Sequence, residues 1–216
     1  MGDISGYLEP EQIHAIIEAL SNVSKRAERD KLFFELMWQS GGRVQEVTTL
    51  VPEHIGMSSV VLRNLKQVKR VKDNTGKTIR VHDETAIKEV EISEDLCNRL
   101  KEYCKEHKID IGQWVFPSNR DKKKPLNRWY VWDILTKASE SAMVFAFGKR
   151  NPRTGGRFKG AYPHLLRHSC AVHLLDKTDN MELVREHLGH SDISTTQIYA
   201  KVKSTKMKKS MKDIEW

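Results

Sequence analysis

Apolar residues return at the spacing of a helix along most of this chain, and that period limits the fold more than any other feature does. Ile13, Ile16, Ile17 and Leu20 share one face of a helix over 11–20, with Pro10 suited to its first turn. Leu32, Phe33, Leu36 and Met37 predict a buried helix over 31–39, ended by Gly41-Gly42. Further helices are predicted over 44–50, 96–107, 128–138, 164–175, 181–188 and 195–207. Trp129, Tyr130 and Trp132 crowd one of them and are expected to pack in the core, with base stacking as the alternative. Strand character is confined to 60–65 and 88–92, two strands of a hairpin or small sheet. A long charged connection holding Asn74-Thr75-Gly76 separates them, and residues 148–160, rich in Gly and Arg, read as a loop. The expected fold is mainly α with a small antiparallel β-sheet (α+β), without internal repeats.

A length of 216 residues suits one domain, or one domain with a small appendage, and suffices for a real core. Hydrophobic residues at 38% against 31% charged exclude a disordered chain. No stretch approaches the roughly 18 uninterrupted apolar residues that a membrane span needs. The polar first ten residues lack the apolar run of a secretory signal, so a cytoplasmic setting without membrane contact is expected. The three cysteines form no CxxC pair. Cys97, Leu100 and Cys104 fall at helical spacing behind Ser93, a suitable N-cap, and read as small core residues in a reduced compartment.

The net charge of +8 favours a polyanion as partner, and its distribution says more than its size. Arg63, Lys66, Lys69, Arg70, Lys72, Lys77 and Arg80 stand against one acid, Asp73. Lys149, Arg150, Arg153, Arg157 and Lys159 stand against none, and Arg120 to Lys124 and the tail from Lys201 to Lys212 add two more basic runs. Any one run suits a solvated surface; together they predict a track for double-stranded DNA.

The chemistry concentrates late in the chain. His164-Leu165-Leu166-Arg167 sets a histidine and an arginine one helical turn apart, so both can reach one anion. Leu188-Gly189-His190 follows, and Tyr199 comes nine residues after His190. An earlier arginine lies in Gly41-Gly42-Arg43-Val44-Gln45-Glu46. These four elements and a lysine on the strand pair, five in all, occur in the order found in the tyrosine recombinases of the phage integrase family, which the chain resembles from about Leu8 to Tyr199. Each short motif alone is weak, and their joint order is specific.

The resemblance implies the catalytic-domain fold of that family and a site-specific recombinase or integrase, which cleaves and rejoins DNA through a 3′-phosphotyrosine on Tyr199. Attack on a phosphodiester builds negative charge on the non-bridging oxygens, where fixed cationic donors are needed. Arginine suits that place, since its planar fork stays charged and forms parallel hydrogen bonds. Arg43 and Arg167 are assigned to the clamp, with His190 donating to the same phosphate. His164 manages the proton of the phenol, whose ordinary pKa is about 10. Glu46, one turn after Arg43, is expected to orient it by a buried hydrogen bond. The family's lysine protonates the leaving 5′ oxygen. Lys66 stands where it is expected, Lys69 is the next candidate, and register in a hairpin can slip. Lys69, Arg70, Lys149, Arg150, Arg153, Arg157 and Lys159 are the expected DNA contacts. The covalent intermediate conserves bond energy, so neither a nucleotide cofactor nor a metal is implied.

Separately, each residue has a plainer reading: Arg43 as a helix-end arginine, His164 as a packed histidine, Tyr199 as a core or surface tyrosine. The pairs His187/His190 and His164/His168 have spacings that also suit metal ligands, but no HExxH motif accompanies them. His168 and His173 read as helix-packing residues. The alternatives in function are a catalytically inactive DNA-binding module of the same fold, or a type IB topoisomerase-like enzyme.

Residues 1–199 are expected to form a single catalytic domain, and 200–216 a tail that docks on a neighbouring subunit. The N-terminal core-binding domain typical of the family is expected to be absent from this chain. A tetramer on DNA, a monomer in solution and accessory directionality proteins complete the expectations.

Overall fold

The computed structural model describes residues 6–63, 68–72, 78–82, 87–144 and 160–189. Each helix forms where the sequence supplies both a buried stripe and an end signal. Helix α1 (Pro10–Val23) opens with proline in its first turn and a capping box between Glu9 and Gln12, the Glu9 amide donating to Gln12 Oε1 at 2.9 Å. It buries Ile13, Ile16, Ile17 and Leu20, the predicted face. Helix α2 (Ala27–Ser40) ends on Gly41 in the left-handed region, at φ 56°. A Cβ there would meet Leu188 Cδ2 at 2.3 Å, so both backbone and space require glycine.

Helix α3 (Val44–Thr48) is followed by a 3-10 turn at Pro52–His54 and strand β1 (Ser59–Arg63). Strands β2 (Val68–Lys72) and β3 (Thr78–His82) come next, then β4 (Ile87–Glu91). Helix α4 (Glu94–Glu106) starts at Ser93, whose hydroxyl accepts from the Leu96 amide, as the sequence predicts. Helices α5 (Arg128–Ser141), α6 (Pro163–Thr178) and α7 (Met181–Leu188) complete the described elements. Asn180 caps α7 by accepting from the amides of Glu182 and Leu183. The fold is mainly helical with small antiparallel sheets.

Two compact units result. Residues 1–41 with 129–216 hold α1, α2, α6, α7 and nearly all of α5; residues 42–128 hold α3, α4 and the strands. In the second unit β1 pairs with β4 in antiparallel register, Val60 opposite Val90 and Leu62 opposite Lys88. The charged connection between the predicted strands contains a second antiparallel pair, β2 with β3, in which Arg70 lies opposite Arg80. Strand β3 does alternate, with Ile79 and Val81 on one face, but five residues of alternation are short and β2 (Val68–Lys72) does not repeat them, so the pair reads as a charged connection. Asn74-Thr75-Gly76 lies outside the described residues.

In the helical unit a buried pair joins α2 to α5. Arg29 donates to Asp30 Oδ1 from Nε at 2.9 Å and from Nη2 at 2.6 Å, while Ser24 and Tyr130 hydroxyls donate to Asp30 Oδ2 at 2.6 and 2.5 Å. The guanidinium also lies 5.3 Å from the centre of the Tyr130 ring. A buried ion pair is tolerated when its remaining valences are met in this way. One packing expectation is corrected here: Trp129 is 71% exposed, and Tyr130 and Trp132 are half-buried. The core face of α5 is Val131, Ile134, Leu135 and Ala138, whose 3–4 spacing turns Trp129 outward. Cys97, Cys104 and Cys170 are all buried, and burial pushes the Cys104 thiol up to about 11. No helix among the described residues is long and apolar enough to cross a membrane.

Candidate active site

The early arginine box builds a compact charged cluster in the strand-bearing unit. Arg43 is the N-cap of α3, so its backbone is extended while its amide points at the first turn. That amide donates to Glu46 Oε2 at 2.9 Å, and its guanidinium Nη1 donates to Glu46 Oε1 at 2.6 Å. Glu46 is 1% exposed, and the buried hydrogen bond expected between the two residues is present. Burial alone would raise the Glu46 pKa. The ammonium of Lys88, the Arg43 amide and the Arg43 guanidinium more than offset it, so the carboxyl lies below its ordinary value.

Lys88 is the residue that sequence reasoning missed. Its ammonium lies 3.7 Å from Glu46 Oε2, and its side chain is 11% exposed. Strand parity carried the signal. Val90 and Ile92 are buried, so Lys88 shares their inward face, whereas Ile87 points outward.

In the helical unit Arg167 is buried on α6, 5% exposed. Its Nη2 donates to the Leu188 carbonyl at 2.8 Å and its Nη1 to the Gly41 carbonyl. Leu188 closes α7 and Gly41 closes α2, so one guanidinium joins the C-terminal ends of these two helices. His187 Nε2 lies 2.9 Å from the Gln39 carbonyl, which also accepts from Cys170 Sγ at 3.6 Å. The last carbonyls of α2, unsatisfied within the helix, are thus met by side chains of α6 and α7. His164 stands exposed in the first turn of α6, one turn before Arg167. His168 and His173 are half-buried on the same helix, His173 in edge contact with the rings of Tyr7 and Trp38.

Lys69 and Arg70 lie on β2, with backbones opposite Val81 and Arg80. Lys66, His190, Tyr199, Lys149, Arg150, Arg153, Arg157 and Lys159 lie outside the described residues, as does the tail. Among the described residues no three His, Cys, Asp or Glu side chains are grouped to hold a metal ion.

A model described as "Phage integrase family" matches residues 6–206. The tyrosine recombinase XerA of Pyrococcus furiosus is 28% identical over 204 residues, covering 94% of this chain and 60% of the relative. The chain therefore spans about 60% of the length of the curated relatives it matches. The crystal structure of XerA recombinase aligns with a TM-score of 0.67 at 19% identity, over 97% of this chain and 66% of that one. That of XerH site-specific recombinase, bound to palindromic difH substrate in a post-cleavage complex, aligns with a TM-score of 0.64 at 18% identity, over 95% and 52%.

Proposed function

The chain belongs to the phage integrase family, and on that premise we propose that it cleaves and rejoins DNA strands through a covalent bond to Tyr199. The observation that carries this reading is the seating of Arg43. A carboxylate that is 1% exposed fixes both its amide and its guanidinium, as a clamp for one phosphate needs. Arg167, held by two carbonyls, supplies the second cationic fork.

In the step proposed, the Tyr199 oxygen attacks phosphorus and the bond to the 5′ oxygen of the next nucleotide breaks, leaving a 3′-phosphotyrosine. The phenol proton passes to His164, which is exposed where a substrate can reach it. The departing 5′ oxygen takes a proton from Lys66, or from Lys69 if the register differs. Arg43, Arg167 and His190 stabilise the charge on the non-bridging oxygens. A free 5′ hydroxyl attacking the phosphotyrosine reverses the step and rejoins DNA.

Residues 1–199 act in this reading as the catalytic domain, with 200–216 docking on a neighbouring subunit in a DNA-bound tetramer assembled from monomers. Lys69, Arg70, Lys149, Arg150, Arg153, Arg157 and Lys159 contact the duplex. Accessory proteins set the direction, and the protein works in the cytoplasm on a chromosome or mobile element.

The test is covalent trapping. Protein is incubated in EDTA with a pool of nicked duplexes that release a short strand on cleavage, then run on denaturing gels. A shifted adduct in wild type that vanishes in Tyr199→Phe is expected. An adduct that survives in Tyr199→Phe removes that residue from the mechanism. DNA binding without any adduct favours a binding module of the same fold.

A further inference from the structure

Strand β4 is built the wrong way round for stability alone. Ile87, which would gain by burial, is 61% exposed, while Lys88 is turned inward. An apolar side chain at the inward position would pack beside Val90 without the cost of desolvating an ammonium. The cation that stands there instead faces Glu46. At 3.7 Å it lies beyond good hydrogen-bond range and acts on the carboxylate through its field.

Among the described residues the Glu46 carboxylate is faced by two cations, so its place is set by Lys88 on β4 as well as by Arg43 on α3. Lys88 also ties the arginine box to the strand that leads to the candidate general acid, since it lies opposite Leu62 on β1, four residues before Lys66. Among the described residues the charged groups facing Glu46 are Arg43 from the N-cap of α3 and Lys88 from β4. The strand packed on α3, β1, has Arg63 as its sole ionisable residue, and that side chain is exposed.

We propose that Lys88 is a positioning residue for strand cleavage: its ammonium holds the Glu46 carboxylate on which Arg43 is seated, and so sets where the guanidinium meets the phosphate. This rests on the cleavage reading above, and two readouts separate the two ideas. The first is the rate of adduct formation at saturating DNA, with DNA affinity measured alongside. Lys88→Met should slow cleavage about tenfold, less than the roughly hundredfold or more of deleting a direct donor, with affinity within about twofold. Lys88→Arg should recover most of the rate.

The second readout is the titration of the Glu46 carboxyl, followed by carbon NMR in the DNA-free protein. It should move to higher pH in Lys88→Met and return in Lys88→Arg, and the acid limb of the cleavage profile should follow it. A purely structural lysine would not couple the two. If Lys88→Met does not fold, Lys88→Gln, which keeps a polar head without charge, takes its place in both measurements. A folded, uncharged variant with wild-type titration and wild-type cleavage overturns the proposal. A wild type that forms no adduct counts against the cleavage reading, and the titration then decides by itself whether Lys88 holds Glu46.

Discussion

In the strand-bearing unit an arginine is seated on a carboxylate; in the helical unit an arginine is seated on two backbone carbonyls. The difference has an electrostatic consequence. Glu46 fixes Arg43 firmly but offsets its charge, and a further cation, Lys88, lies 3.7 Å from the same carboxylate. The carbonyls of Gly41 and Leu188 are neutral acceptors, and by themselves they leave the charge of the Arg167 guanidinium in place. The carboxylate seat contains a group that titrates in acid and the two carbonyls do not, and each unit can be broken separately to compare them.

The largest effect is expected on the carbonyl-seated side. Arg167→Ala strips two buried carbonyls of a charged donor, and unfolding in urea should show a loss of about 4 kcal/mol. Arg167→Lys keeps the charge but has no planar fork to span both carbonyls, so it should recover only part of that. A stability equal to wild type in Arg167→Ala would mean that the two bonds do not hold the helix ends together.

Next comes the glycine that makes this seat accessible. Gly41→Ala adds a Cβ 2.3 Å from Leu188 Cδ2 at a backbone angle that disfavours side chains. Strain and overpacking together should cost about 2–3 kcal/mol. Leu188→Ala in the same background should relieve the packing share and leave the backbone share. No relief would show that the close approach to α7 is not what demands glycine.

The carboxylate-seated side should respond to pH as the other does not. The folded Glu46 pKa lies below its ordinary value, so its stabilisation is present above the ordinary carboxylate range and is lost as pH falls through the folded value. Glu46→Gln should therefore cost about 1–2 kcal/mol at neutral pH, with the gap from wild type closing in acid. Stability of Arg167→Ala relative to wild type should show no such closure. Parallel pH curves for wild type and Glu46→Gln would remove the electrostatic distinction between the seats.

The two seats also differ in how far they could be read from the sequence. Glu46 is a named side chain one turn from Arg43, so spacing and charge were enough to pair them. The partners of Arg167 are carbonyls, which every residue carries, and only the fold selects Gly41 and Leu188. Lys88 fell between these cases: its inward parity was visible in 88–92, but its target lies on a different element. Helix stripes and caps at Pro10, Ser93 and Gly41 were legible because their signals are local. The β2–β3 pair was not, since only β3 alternates and its apolar face is two residues, Ile79 and Val81, long, and Trp129 lies off the Val131, Ile134, Leu135 and Ala138 stripe of its helix.

The smallest effect tests whether the α2 end is held by Arg167 alone or by a shared set of donors. His187 and Cys170 both reach the Gln39 carbonyl, at 2.9 and 3.6 Å. His187→Ala removes the closer of them, while Cys170 stays to satisfy part of the acceptor. A loss of about 0.5–1 kcal/mol is expected in urea unfolding. Combined with Arg167→Ala it should fall short of additivity, because both mutations release the same helix end. Strict additivity would place His187 outside the seat, leaving Arg167 to hold the Gly41 turn without its neighbour.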